Sequence, residues 1–243
     1  MVPAACDFHP PLPGISPAQT DPHPLLLGAS PGTTGTMSLY YALVALGISS
    51  VHYTRQFNAT DGTERTTYAE GGGPVPLLRP LFADSGQPPP VNLGGLSSVD
   101  LRFLSATDAL LDTPAMEVFF HALATFPNAR VVITSRDPRT WAASRRTRHP
   151  TDRAPLFHLL GYDAPMAALP AEQAAMAFAL WHRTVAASVP AERLLMLDVF
   201  SMSDDELWRK LCAFVGRPLP SVDGTGRLPP FPHMRYGEDL RDG

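Results

Sequence analysis

The order in which apolar runs of two different periods follow one another constrains this chain most. "PLLLG" is a short apolar run bounded by Pro24 and Gly28, the pattern of a buried strand. From Gly35 to Leu46 the apolar residues Met37, Leu39, Tyr40, Leu43, Val44 and Leu46 recur at helical spacing, and Gly47 ends the run. "ISSVHY" is a second strand, and a short helix near "SSVDLRFL" leads to a third at "ATDALLD". "TPAMEVFFHALATF" reads as a helix with Thr113 as N-cap and Pro114 at its first position. The β-branched "ARVVITSR" is a strand of the kind buried in parallel sheets. "DPRTWAASRR" opens a helix capped by Asp137 with Pro138 first, and an amphipathic helix covers about 170–188. "AERLLMLDV" is the last strand, and "DDELWRKLCAFVG" is a helix closed by Gly216. Strands alternating with helices at this spacing predict an α/β fold of three layers, a central parallel sheet flanked by helices. Ligands on such sheets sit at the carboxyl ends of the strands. The loops after Gly28, Tyr53, Asp112 and Ser135 are therefore expected to converge on one crevice.

Two stretches fall outside this alternation. Residues 1–23 are Pro-rich without helical or strand period and read as a disordered tail. Residues 58–97, with "EGGGPVP" and "DSGQPPPVNLGG", are punctuation without periodicity and read as an irregular insertion, a lid over a site being one use for it. The rest, 24–243, is expected to be one domain, since 243 residues at 44% hydrophobic can bury a substantial core.

Charge and composition narrow the partners. Net charge is −4 with 17% charged residues, which gives no footprint for nucleic acid, so any basic site must be local. Cys6 and Cys212 lie far apart, one in the tail and one in a helix, which argues against a disulfide framework or a Cys-based metal site. His, Cys and Asp residues do not cluster as a metal set, so no metal is expected. No apolar run approaches the ~20 residues that span a bilayer, and the N-terminus lacks the basic and apolar regions of a secretory signal. The expectation is a cytoplasmic protein with no membrane partner; its oligomeric state is not legible.

Two segments look built for anions. In "ASPGTTGTMS", Gly32 and Gly35 allow a tight turn and close backbone approach, and the loop runs into a helix N-terminus whose free N–H groups and dipole favour negative charge. Thr33, Thr34, Thr36 and Ser38 add hydroxyls around Met37. The loop contains no lysine or arginine; the chain's one lysine is Lys210. A Walker A loop, G-x-x-x-x-G-K-[ST], is therefore absent. In "VVITSRDPRTWAASRR", Arg136 leaves the strand end and Ser144 follows eight residues later on a helix that also carries Arg145, Arg146 and Arg148. A guanidinium fork with a hydroxyl suits a phosphate monoester. Read singly, the first segment could equally be a structural turn, and the second an Asp137–Arg pair on a solvated helix.

Together the segments resemble the sulfotransferase superfamily that uses 3′-phosphoadenosine 5′-phosphosulfate (PAPS). The resemblance is greatest to its small soluble group with an "RTGTxSL" loop. It rests on "TTGTMSL", "DTPAMEVFFHALATFPNARVVITSRDPRTWAAS" and "FPHM", covering about residues 24–56 and 98–235. The resemblance implies a P-loop-NTPase-like three-layer fold, PAPS as co-substrate without a metal, and transfer of a sulfuryl group to a hydroxyl or amine of a small acceptor. It also implies that Gly32, Thr33, Thr34, Gly35, Thr36, Met37 and Ser38 hold the 5′-phosphosulfate, and that Arg136 and Ser144 hold the 3′-phosphate. Thr33 departs from the pattern, standing where the group has a cation, so a catalytically weak or inactive nucleotide-binding protein is the alternative; a P-loop kinase would need the missing Walker lysine. Arg55 is the first choice for a substitute cation, while Arg227 and Arg235 have only their charge to recommend them.

Sulfuryl transfer needs a group to take the acceptor's proton. Asp112, at the end of "DALLD", can be that base or the cap of the following helix. His52, at the end of the second strand, is the other candidate base or a satisfied strand-end histidine. His121, His158 and His182 read as structural.

Overall fold

In a computed structural model the described residues are 25–52, 55–66, 108–112, 116, 119–151, 165–222 and 224–234. They contain one seven-stranded sheet. Its strands are β1 (Leu26–Gly28), β2 (Ser50–His52), β3 (Arg55–Asn58), β4 (Thr63–Thr66), β5 (Ala109–Leu110), β6 (Arg130–Thr134) and β7 (Leu194–Leu197). Their order across the sheet is β4-β3-β2-β5-β1-β6-β7. Strands β2, β5, β1, β6 and β7 are parallel, and β3 and β4 extend the edge antiparallel. The described helices are α1 (Thr36–Ala45), α2 (Phe119–Thr125), α3 (Pro138–Arg148), α4 (Ala171–Ser188) and α5 (Asp204–Val215).

The period-2 alternation of the strands assigns the helices to faces. Leu25, Leu27, Ala29, Leu110, Val131 and Ile133 point into one core, which they share with residues of α2, α3 and α4 such as Phe119, Trp141 and Phe178. Leu26, Ala109, Leu111 and Val132 point to the other, shared with α1 and α5 through Leu39, Tyr40, Leu43, Trp208 and Leu211. Because β1 feeds a helix on one face while β5 and β6 feed helices on the other, the connections leaving their carboxyl ends diverge, the place where such sheets take ligands. The central parallel sheet with helices on both faces is the expected fold.

Local chemistry explains the helix ends. Asp137 accepts from Thr140 N at 2.8 Å with Pro138 behind it, as the capping pattern foretold. Ser203 accepts from Glu206 N, and Gly216 closes α5 at φ 67°. Thr63–Thr66, inside the stretch read as irregular insertion, is a strand paired to Arg55–Asn58. Its turn is closed by Gly62 N donating to Asn58 O at 2.9 Å and by Asp61 accepting from Thr63 N. The third strand shrinks to Ala109–Leu110. The short helix near "SSVDLRFL", the proline-rich tail, residues 67–97 and His158 lie outside the described residues, as do Thr113 and Pro114.

The chain returns after α5. Trp208 Nε1 donates to Pro229 O, Phe231 packs on Trp208, and His233 meets Asp204 at 2.7 Å. Met234 N then donates to Ser38 Oγ in the first turn of α1, which brings the "FPHM" segment against the loop-bearing helix.

Candidate active site

The loop between β1 and α1 is clamped by its carbonyls. Trp181 Nε1 donates to Ala29 O at 2.6 Å and Trp141 Nε1 to Gly32 O at 3.0 Å. Thr34 Oγ1 donates to Pro31 O, and Arg136 Nη1 to Thr33 O at 3.1 Å. Ser30 Oγ accepts from Thr134 N at 2.7 Å, tying the loop to β6. In a planar trans peptide the N–H points opposite to the C=O. Holding the carbonyls of Pro31, Gly32 and Thr33 against protein donors therefore directs the N–H groups of Gly32, Thr33 and Thr34 the other way. Gly35, the N-cap at φ 93°, provides no side-chain cap, so the first N–H groups of α1 are left for an outside acceptor. The result is a row of backbone donors suited to an anion. Thr33, β-branched, is held at φ 69°. That left-handed conformation costs on the order of 1–2 kcal/mol, strain stored at this loop by the bonds on either side.

The hydroxyls have other work than expected. Thr33 Oγ1 donates to Gly32 O, Thr34 Oγ1 also meets Thr134 Oγ1 at 2.8 Å, Thr36 Oγ1 lies 3.2 Å from His52 Nε2, and Ser38 Oγ accepts from Met234 N. The loop thus offers an anion its main chain more than its threonines. Met37 is half-buried at the edge of the α1 core.

Arg136 leaves β6 half-buried and stacks on Phe200, 4.4 Å from the guanidinium carbon to the ring centroid. Burial lowers its pKa, as does Arg148, while Asp137 and Asp198 pull the other way. A ring beneath the guanidinium leaves its in-plane donors free to grip an oxygen anion. Ser144 is half-buried on the same helix face as Trp141, Arg145 and Arg148.

Asp112 and His52, rival candidates by sequence, are in contact. His52 Nε2 lies 3.2 Å from Asp112 Oδ2, with both groups buried. Asp112, at φ 64°, gives its main-chain oxygen to Met116 N at 3.2 Å. Among the described residues its Oδ1 has no hydrogen-bond partner, and neither does His52 Nδ1, although both are buried. Burial holds His52 below its ordinary pKa against the pull of the Asp112 carboxylate, with Arg55 adding to the lowering. The imidazole is therefore neutral at neutral pH. With Nε2 facing a carboxylate, the favoured tautomer carries its proton there, shared with Thr36 Oγ1, and Nδ1 remains an acceptor. Buried polar atoms without partners are rare; His121 Nε2, Arg146 Nε and His182 Nε2 share that state elsewhere, while Asp112 Oδ1 lies beside Gly32 of the loop, where a ligand would supply the partner.

Arg55, the first choice for a substitute cation, is engaged by a carboxylate. It pairs in register with His52 on β3, and its guanidinium meets Glu64 Oε1 at 3.3 Å, which Tyr40 also reaches at 3.1 Å. Arg227 is exposed, and Arg235 lies outside the described residues. His121 and His182 are kept neutral by burial, His182 down to about 4. Among the described residues no group of His, Cys, Asp and Glu could hold a metal, and no helix is long and apolar enough to cross a membrane.

A family model described as a sulfotransferase domain matches residues 25–240. A solved sulfotransferase from Mycobacterium avium aligns at 15% identity and a TM-score of 0.44, covering 84% of this chain and 67% of that one. No curated protein matches.

Proposed function

This chain belongs to the sulfotransferase domain family, and from that premise we propose that it moves a sulfuryl group from PAPS to a hydroxyl or amine of a small acceptor. The observation that carries the reading is the buried Asp112–His52 pair, whose Asp112 Oδ1, without a partner among the described residues, lies beside Gly32 of a loop with its carbonyls clamped by protein donors. The residues present fit the nucleotide: the N–H groups of Gly32 to Ser38 suit its 5′-phosphate, and Arg136 with Ser144 suits its 3′-phosphate. When bound, it supplies a sulfuryl group on a phosphate leaving group.

The chain's own part is positioning, charge stabilisation and proton transfer. Asp112 Oδ1 takes the acceptor's proton as the acceptor oxygen or nitrogen bonds to sulfur. His52, neutral and donating Nε2–H to Oδ2, holds the carboxylate in place and spreads its charge. Thr36 fixes the imidazole from the first turn of α1, so the base and the anion loop share one helix. Proton transfer of this kind contributes about 10²–10⁴-fold.

Incubation with PAPS and a panel of phenols, alcohols and amines, followed by chromatography of the nucleotide, tests the reading. Acceptor-dependent release of adenosine 3′,5′-bisphosphate is expected. Tight nucleotide binding without any transfer would leave an inactive nucleotide-binding relative, the reading that Thr33 in place of a loop cation favours. Absence of binding would refute the assignment altogether.

A further inference from the structure

The loop carries no cation of its own, yet a helix end offers only about half a positive charge to a phosphate that brings nearly two negative ones. A fixed cation elsewhere has to make up the difference. A Cβ built on Gly32 would lie 2.7 Å from Arg145 Nη1 and 3.2 Å from Asp112 Oδ1. The guanidinium of Arg145 therefore rests directly on the glycine next to Thr33, in space that any larger residue would occupy. Its placement follows from α3: Trp141 and Arg145 are one turn apart on one face, and Trp141 already grips Gly32 O. Arg148 continues that face towards Arg136, whose charge it opposes. Arg55 lies on β3, with its guanidinium on Glu64.

Building on the reading above, we propose that Arg145 is the loop's cation in trans, contacting the 5′-phosphate group in place of the side chain that Thr33 lacks, while Arg136 and Ser144 keep the 3′-phosphate. When the bond between sulfur and the bridging oxygen breaks, its electron pair stays on the phosphate, and the guanidinium at Gly32 stabilises that growing charge. Asp112 Oδ1 lies by the same glycine, so the cation and the base are both within reach of one spot beside the loop.

Calorimetry on the full chain with adenosine 3′,5′-bisphosphate and adenosine 3′-monophosphate separates the assignments. Arg145→Met is expected to weaken the bisphosphate about tenfold or more and to leave the 3′-monophosphate within about twofold, the difference being one charge-assisted contact. Arg145→Lys should recover most of the loss. Thr33→Lys placed in the Arg145→Met protein should restore both affinity and PAPS turnover, and in the parent it should add little. Gly32→Ala, which displaces the guanidinium without removing it, should reproduce the loss in milder form if Arg145→Met folds poorly. Unchanged bisphosphate affinity in Arg145→Met, or an equal loss for both nucleotides, overturns the role of Arg145 and leaves the sulfotransferase reading standing. A parent protein that binds neither nucleotide overturns both.

Discussion

Replacing Arg136 by alanine probes the proposed anion site at the side chain that touches the loop. One Nη1–H is used on Thr33 O, and the ring of Phe200 covers a face of the guanidinium. The remaining in-plane donors are those available to a 3′-phosphate. A charge-assisted hydrogen bond contributes about 1.5–3 kcal/mol, and half-exposure argues for a value near 2, or roughly 30-fold in affinity. Loss of the bond to Thr33 O loosens the loop by about 1 kcal/mol, which weakens any 5′-phosphate ligand by about fivefold. Arg136→Ala should thus lower affinity for adenosine 3′,5′-bisphosphate by on the order of 150-fold and for 5′-AMP by only about fivefold, contracting their ratio about 30-fold. Arg136→Lys keeps the charge but not the fork, and should contract the ratio by less than about tenfold. Titration calorimetry at fixed ionic strength reads all six constants, since exposed charges are screened within about 10 Å. Equal affinity of the native protein for the two nucleotides, or an equal loss for both in Arg136→Ala, would show that Arg136 does not read the 3′-phosphate.

Asp112→Asn should keep bisphosphate affinity within about twofold and reduce turnover by about 10²-fold or more, and Asp112→Asn/His52→Ala should cost little beyond the worse single change because the pair acts as one unit; multiplying losses in the double variant would mean separate roles. Gly35→Ala forces a Cβ at φ 93° to within 3.0 Å of Val199 Cβ. It should destabilise by about 1–3 kcal/mol and lower Tm by roughly 2–4 °C per kcal/mol in scanning calorimetry; an unchanged Tm would contradict the packing. His182 is held by burial at about 4, below the ordinary value of an unfolded chain, so the unfolded state binds the proton first as pH falls below about 6.5. Stability should drop by about 2 kcal/mol between pH 6.5 and 5 from this group, with His52 adding in the same direction, and His182→Gln should reduce the drop by about that amount in urea titrations. A pH dependence identical in both proteins would refute the burial of a neutral imidazole.

What the sequence determined by itself is what short-range physics writes into it. Period-2 and period-3.6 patterns identified the strands and helices, the Asp137–Pro138 cap and Gly216 marked helix ends where the structure has them, and the Gly-rich turn after "PLLLG" announced a loop opening a helix. The β3–β4 hairpin was harder: its strands are four residues long, β3 is half-buried throughout without alternation, and Thr63 and Glu64 of β4 are exposed, so Asp61–Gly62 was their main signal. Tertiary structure decided the site. That Asp112 and His52 form one pair depends on β2 and β5 lying side by side, though 60 residues separate them in the chain. That the loop presents main-chain N–H groups rather than threonine hydroxyls depends on Trp141, Trp181 and Arg136 capturing its carbonyls from two helices and the β6–α3 connection. And the cation resting on Gly32 comes from α3, not from β3, because a side chain's reach follows the packing of its helix; a list of arginines carries no such information.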